Sequence, residues 1–296
     1  MNSRRASAFG LLALASLLWS GNWILGRALR EAFDPVSLNF WRWLVAVVAI
    51  APFAAREAWK KRALVRRHAG LLLLLALSGV AAFQTLVYLG LESTTAINAV
   101  LINAAGPLFM VACSWLLERE RTTARQIAGM LLSVAGIVVI VCQGDAARLA
   151  ALEFHRGDGW ILLAMPLWGL YSVLLRRCPP ELRGLTFVFV VGVLGVALLA
   201  PFFAVEAARA PLRWPAPEHV ASVLYVALAA SVAAFLCWNR GVAVVGANAA
   251  GFTLPLLPAF GTLLAMAFLG ERFQLYHAAG ISTILAGVIL ATRRAA

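Results

Sequence analysis

Charge is scarce in this chain: Asp, Glu, Lys and Arg together make up 13% of 296 residues. An average soluble domain carries about 25%, so a water-exposed globule is excluded. No polar stretch reaches even ~60 residues, which leaves no room for an attached ATPase, kinase or DNA-binding module. The four cysteines, Cys113, Cys142, Cys178 and Cys237, are scattered and form no CxxC pair, so they read as small packing residues. There is no G-x-x-x-x-G-K-[ST], no H-E-x-x-H and no metal-spaced Cys/His set. ATP-driven pumping by this chain is therefore out, and neither a cofactor nor a metal is expected. A membrane-embedded enzyme would need acids, bases or a metal clustered at one depth, and none is clustered here. His68, His155, His219 and His277 lie in or beside loops, and no apolar run has an Asp or Glu near its centre. A proton-coupled carrier needs an ionisable relay within the bilayer, so the pattern argues for facilitated movement or exchange.

What is abundant is apolar surface: 62% of the residues are hydrophobic. A window of about 19 residues finds ten apolar runs, at 8–29, 36–55, 69–91, 95–117, 124–143, 158–175, 184–205, 219–239, 246–269 and 275–292. Ten helices of about 20 residues each account for nearly the whole chain. The fold expected is thus an all-α integral membrane protein with ten transmembrane helices. Asp34-Pro35, Pro179-Pro180 and Pro211, Pro215 and Pro217 punctuate the short connections. Arg4 and Arg5 before the first run suggest a signal peptide, but that run is too long, contains Asn22 and matches a later span.

An even number of spans puts both ends on one side, so the 25 Lys and Arg can be sorted. The side of the termini holds 17, including Arg4, Arg5, Arg56, Lys60, Lys61, Arg62, Arg176, Arg177, Arg293 and Arg294. The other side holds 7, namely Arg27, Arg30, Arg148, Arg156, Arg209, Arg213 and Arg272, and Arg42 stays inside a span. Basic loops remain on the cytoplasmic side, so both termini are expected there. The net charge of +12 is then topological, and nucleic acid is not an expected partner.

The second half repeats the first. At an offset of 151, Gly90 falls on Gly241, Pro107 on Pro258, Glu120-Arg121 on Glu271-Arg272, Gly129 on Gly280 and Ala135-Gly136 on Ala286-Gly287. In the first two spans the offset is 149: Gly10 falls on Gly159, Leu18-Trp19 on Leu167-Trp168 and Ala51-Pro52-Phe53 on Ala200-Pro201-Phe202. The repeat unit, 1–150 and again 151–296, holds five spans. An odd number makes the two copies enter the membrane in opposite directions, the arrangement of many secondary transporters.

The five-plus-five repeat, with a proline-bearing fourth and ninth span running into Glu-Arg and then a glycine-rich span, resembles the EamA-like branch of the drug/metabolite transporter superfamily. The resemblance covers essentially the whole chain. It implies a ten-helix inner-membrane carrier, commonly an exporter of amino acids or other small metabolites, and bacterial aromatic amino acid exporters are the nearest comparison. A broad-specificity exporter of drugs and organic molecules is the alternative. The expected partners are a small-molecule substrate and the lipid bilayer, with the chain acting as monomer or homodimer.

Polar groups inside a span must find a partner or line a wet cavity, and helical spacing sorts them. Trp19, Asn22, Trp23 and Gly26 share one face of the first span, and Trp168, Tyr171 and Ser172 are their counterparts in the sixth. Asn39, Arg42 and Trp43 share a face of the second. Gln84 and Tyr88 lie on the third span, Trp238 and Asn239 near the matching level of the eighth. Asn98 and Asn103 are about 140° apart around the fourth span, and Asn98, nearest to Asn248 of the ninth, is favoured for the cavity. Two roles fit Arg42: outward snorkelling with pairing to Glu31, Asp34 or Glu92, or contact with a substrate carboxylate. Pro107, Pro166, Pro255 and Pro258 fall within spans and are read as points of flexure. Glu120 and Glu271 read as loop or cap pairs.

Overall fold

The computed structural model describes residues 3–29, 32–209, 217–269 and 272–293. Arg30, Glu31, Pro211, Arg213, Trp214, Pro215, Gly270, Glu271 and Arg294, together with the side chain of Arg27, lie outside the described residues. Ten helical segments among those described are long and apolar enough to cross a membrane. They are Ser3–Gly26, Pro35–Lys60, Ala69–Ser93, Ile97–Glu118, Ala124–Val141, Arg156–Arg177, Leu185–Arg209, His219–Val245, Ala247–Phe268 and Leu275–Thr292. Each coincides with one of the ten apolar runs, and no described residue is in a strand.

Local chemistry sets the ends of the spans. Pro35 opens the second helix after an extended Asp34, where its missing N–H costs nothing. Thr95 and Thr123 cap the fourth and fifth helices by accepting the backbone N–H of Asn98 and Gln126. The fourth ends at Arg119 in the left-handed region, with φ 57°. Large apolar side chains such as Phe53, Leu116, Phe202 and Phe268 point outward, as lipid-facing surface requires.

The fifth and tenth spans meet backbone to backbone. A Cβ on Gly129 would lie 2.6 Å from the Gly287 carbonyl, and one on Gly136 would lie 2.7 Å from that of Gly280. Numbers rise along one helix as they fall along the other, so these two helices run in opposite directions. Between the pairs, Ser133 donates to Ile284 O at 3.4 Å. Close contact of this kind lets dispersion hold helices together where lipid removes the hydrophobic drive. Another contact recurs across the halves: Gly90 abuts Ile161, and Gly241 abuts Leu12. The sequence offsets carry Gly90 onto Gly241 and Leu12 onto Ile161.

Four spans are not continuous α-helices. The fourth is two helices, Ala96–Ala104 and Gly106–Glu118, and the ninth is also two, Ala247–Gly251 and Leu256–Leu269. The reason is proline. Pro107 lacks the N–H that would continue the first ladder and starts a new helix, and Pro255 sits in the break itself, with Pro258 in the turn after it. Pro107 and Pro255 thus mark breaks, whereas Pro166 lies within an unbroken helix, Arg156–Leu174. The third and eighth spans carry π-helical stretches, Leu77–Ala82 and Tyr225–Ala233. These overlap under the repeat offset. A π stretch displaces carbonyls from the α ladder, and in lipid those groups need other donors.

Candidate transport chamber

The second span supplies those donors. Asn39 Nδ2 reaches Val80 O at 2.9 Å and Ala81 O at 3.2 Å, both in the π stretch of the third span, and Thr85 Oγ1 at 3.0 Å. One helical turn later, Arg42 turns to the π stretch of the eighth. Its Nη2 donates to Ala230 O at 3.1 Å and its Nε to Ser231 Oγ. Trp19 Nε1 adds a 2.9 Å bond to the same Ala230 carbonyl. The expectation that Arg42 snorkels outward or pairs with Asp34 or Glu92 is corrected, while Glu31 lies outside the described residues: Arg42 is 1% exposed and every partner among the described residues is neutral. Displaced carbonyls and the Ser231 hydroxyl hold it in the interior. The remaining two bonds run from Nη1 to Asn22 Oδ1 and to Tyr88 Oη, each 3.2 Å.

Beside this network lies a partly enclosed chamber of about 30 Å³, room for about one water. The first span contributes Trp19, Asn22 and Trp23, the third Phe83 and Gln84, the sixth Met165 and Trp168, and the eighth Phe235. Asn103 and Gly106 enter from the break in the fourth span, Leu254 and Leu257 from the break in the ninth. Eight of these twelve residues are four repeat-related pairs: Trp19 with Trp168, Gln84 with Phe235, Asn103 with Leu254 and Gly106 with Leu257. The chamber is therefore drawn from the same positions of both halves. Its chemistry is unequal: Asn22, Gln84 and Asn103 come from the first half, while the second offers Met165, Trp168, Phe235, Leu254 and Leu257. The Gln84 Nε2 is buried without a hydrogen-bond partner.

Several expected residues stand one layer behind the wall. Tyr171 donates to Asn239 Oδ1 at 2.9 Å, and Trp238 Nε1 donates to Ser172 Oγ at 3.2 Å. Trp19, Trp168 and Trp238 pack with ring centroids 5.1–5.4 Å apart, and Trp43 meets Phe235 edge-on at 5.1 Å. These rings pack into one aromatic cluster at the chamber wall. Asn98 is elsewhere. It donates to Asp158 Oδ2 at 2.6 Å and to Glu153 O at 2.8 Å, and Thr94 donates to the same carboxylate, so Asn98 fixes the first turn of the sixth span. The favoured pairing of Asn98 with Asn248 is thus replaced by a capping cluster, and Asn248 Oδ1 is buried without a partner. Asp158, in the first turn of the sixth span, is 1% exposed.

A second cavity of about 360 Å³ adjoins the chamber and shares Trp23, Asn103 and Leu257 with it. It runs between the first, fourth and ninth spans to Gln143, Tyr276 and His277, at the end of the bundle away from Ser3. At the opposite end Arg176 ties the sixth span to the fourth, 2.6 Å from Glu118 and 3.7 Å from Glu120. Glu120 is thereby a loop-end pair, as expected.

Ten apolar helices around a small polar-and-aromatic chamber define a multi-pass membrane protein. The profile of the EamA-like transporter family matches residues 6–142 and again 155–293, and the chain belongs to that family. It is similar to an uncharacterized transporter of Archaeoglobus fulgidus, 29% identical over 96% of both chains. A probable terminal-alkyne amino-acid exporter of Streptantibioticus cattleyicolor is 27% identical, over 98% of this chain and 94% of that one. A crystal structure shares the fold with a TM-score of 0.72 at 22% identity, covering 97% of this chain and 96% of the other.

Proposed function

We propose that this chain is a secondary transporter of a bacterial inner membrane, built from two five-span copies, 1–150 and 151–296, of opposite orientation, with both termini cytoplasmic. It moves small amphipathic metabolites by alternating access, amino acids with apolar or aromatic side chains first among them. The observation that carries this reading is the chamber wall made of four repeat-related pairs. A site on the axis relating two inverted copies is reached from either side by rocking one copy against the other. The opposed fifth and tenth helices support the inversion. The amino-acid exporter among the relatives supports the substrate class, as does the mixed wall: Asn22, Gln84 and Asn103 suit the amino and carboxyl groups, and Trp19, Trp23, Phe83, Trp168 and Phe235 suit the side chain. With the termini inside, the 360 Å³ cavity opens outward, while Arg176 holds the inner end shut.

The apolar lining of that outer cavity favours a second reading, a broad-specificity exporter of organic molecules. Counterflow into proteoliposomes with radiolabelled Phe, Thr and Met decides between them. Saturable exchange with Phe fastest is expected. Equal rates for all three refute the aromatic preference, and no saturable exchange of any amino acid or organic cation refutes the carrier itself.

A further inference from the structure

We infer that the chamber selects solutes that carry a carboxylate, which takes the place of Asn22 Oδ1 as the acceptor for Arg42 and Tyr88. The inference rests on the transport reading above and names the chemistry its site selects. Arg42 is a fully buried cation, and none of its four partners among the described residues bears a charge. A buried charge is costly without a counter-ion, and within a membrane it marks a functional site. Guanidinium nitrogens only donate, so the Asn22 atom facing Arg42 is its oxygen. That one neutral oxygen takes two donors, Arg42 Nη1 and Tyr88 Oη, each at 3.2 Å.

Asn22 lines the chamber, whereas Arg42 and Tyr88 stand behind it. Turning the Asn22 side chain away exposes two donors side by side. A carboxylate offers two oxygens to them and supplies the missing negative charge, and charge-assisted bonds are roughly twice as strong as neutral ones. The unpartnered Gln84 Nε2 on the same wall is a further donor awaiting an acceptor. The sequence repeat sharpens the point. Arg42 falls on Val191 and Gln84 on Phe235, so the cation and the unpartnered amide belong to the first half alone. A carboxylate on that side turns the rest of the solute toward Trp168 and Phe235. An organic cation with no carboxylate meets the Arg42 charge and gains nothing in return.

The test compares acids with their own decarboxylated amines on the full-length protein in proteoliposomes. L-phenylalanine, L-tryptophan and L-leucine are each set beside phenethylamine, tryptamine and isoamylamine as competitors of counterflow. The amines are expected to need at least about tenfold higher concentration, the loss of one charge-assisted contact. Asn22→Asp then places a permanent carboxylate against Arg42. That variant is expected to melt at or above the parent temperature, to lose about tenfold in affinity for the acids and to lower the acid-to-amine preference by at least as much. A merely structural role for Arg42 would leave the acid-to-amine ratio unchanged. Amines that compete as well as acids, or Asn22→Asp with full affinity for the acids, overturn the inference while leaving the carrier in place. Exchange of neither acids nor amines overturns both.

Discussion

Gly136→Ala puts a methyl group where two helices touch. The new Cβ would lie 2.7 Å from Gly280 O, 2.8 Å from Ile284 N and 2.9 Å from Ile284 Cγ1. Ordinary carbon contacts are about 3.5–4.0 Å, and two of the three atoms are backbone, so no rotamer relieves the clash. The tenth span must back away by most of an ångström. That movement loosens the mirror contact of Gly129 with Gly287 and lengthens the Ser133 to Ile284 bond, already 3.4 Å. Overpacking of this kind costs about 1–3 kcal/mol. Gly280→Ala opens the same gap, its Cβ lying 2.8 Å from Gly136 O, so the double variant should cost less than the sum of the two. Gly10→Ala and Gly159→Ala are the controls: both positions have nothing within 4 Å of a new Cβ and both are helical, so alanine is neutral or stabilising. The assay is thermal unfolding in detergent, read by a thiol-reactive dye that reports exposure of Cys142 and Cys178, both buried in the folded chain. A Gly136→Ala protein that melts with Gly10→Ala refutes the packing argument.

Three other outcomes follow from the same contacts. Asn39→Leu removes the donor that serves Val80 O, Ala81 O and Thr85 Oγ1, and the stranded acceptors should cost about 1–3 kcal/mol in the same melt. Asn103→Trp fills the passage shared by the chamber and the outer cavity; it should stop counterflow while the melting temperature stays near that of the parent. Cys178 lies outside the spans, and burial pushes its thiol up to about 11, so at pH 7.5 maleimide should modify it at least a hundredfold more slowly than an exposed cysteine, roughly the drop in thiolate fraction.

The spans were legible because apolar length is a direct reading of bilayer thickness, and the ten runs needed no tertiary information. The aromatic stripe was legible for the same kind of reason: Trp19, Asn22 and Trp23 share a face by helical geometry alone, and all three reach the chamber. Helical geometry also separates Asn98 from Asn103, but it carries no information about which of the two faces inward. Asn103 lines both cavities, and the signal that finds it is the repeat: it lies four residues before Pro107, as Leu254 lies four before Pro258. The π stretches left no trace in composition, since Leu77–Ala82 and Tyr225–Ala233 look like any apolar helix. They exist because Asn39, Arg42 and Trp19, distant in sequence, take up the carbonyls set free there. Arg42 was ambiguous for that reason, because its acceptors are backbone and side-chain groups that only folding brings together.

Side-specific labelling measures the opposed insertion of the two halves directly. Single cysteines are placed by Arg121→Cys and Arg272→Cys, repeat-equivalent and exposed positions after the fourth and ninth spans, and probed with a membrane-impermeant maleimide on intact spheroplasts. The account predicts labelling of the Arg272→Cys protein from outside and of the Arg121→Cys protein only after the membrane is breached. Labelling of both from the same face would contradict it.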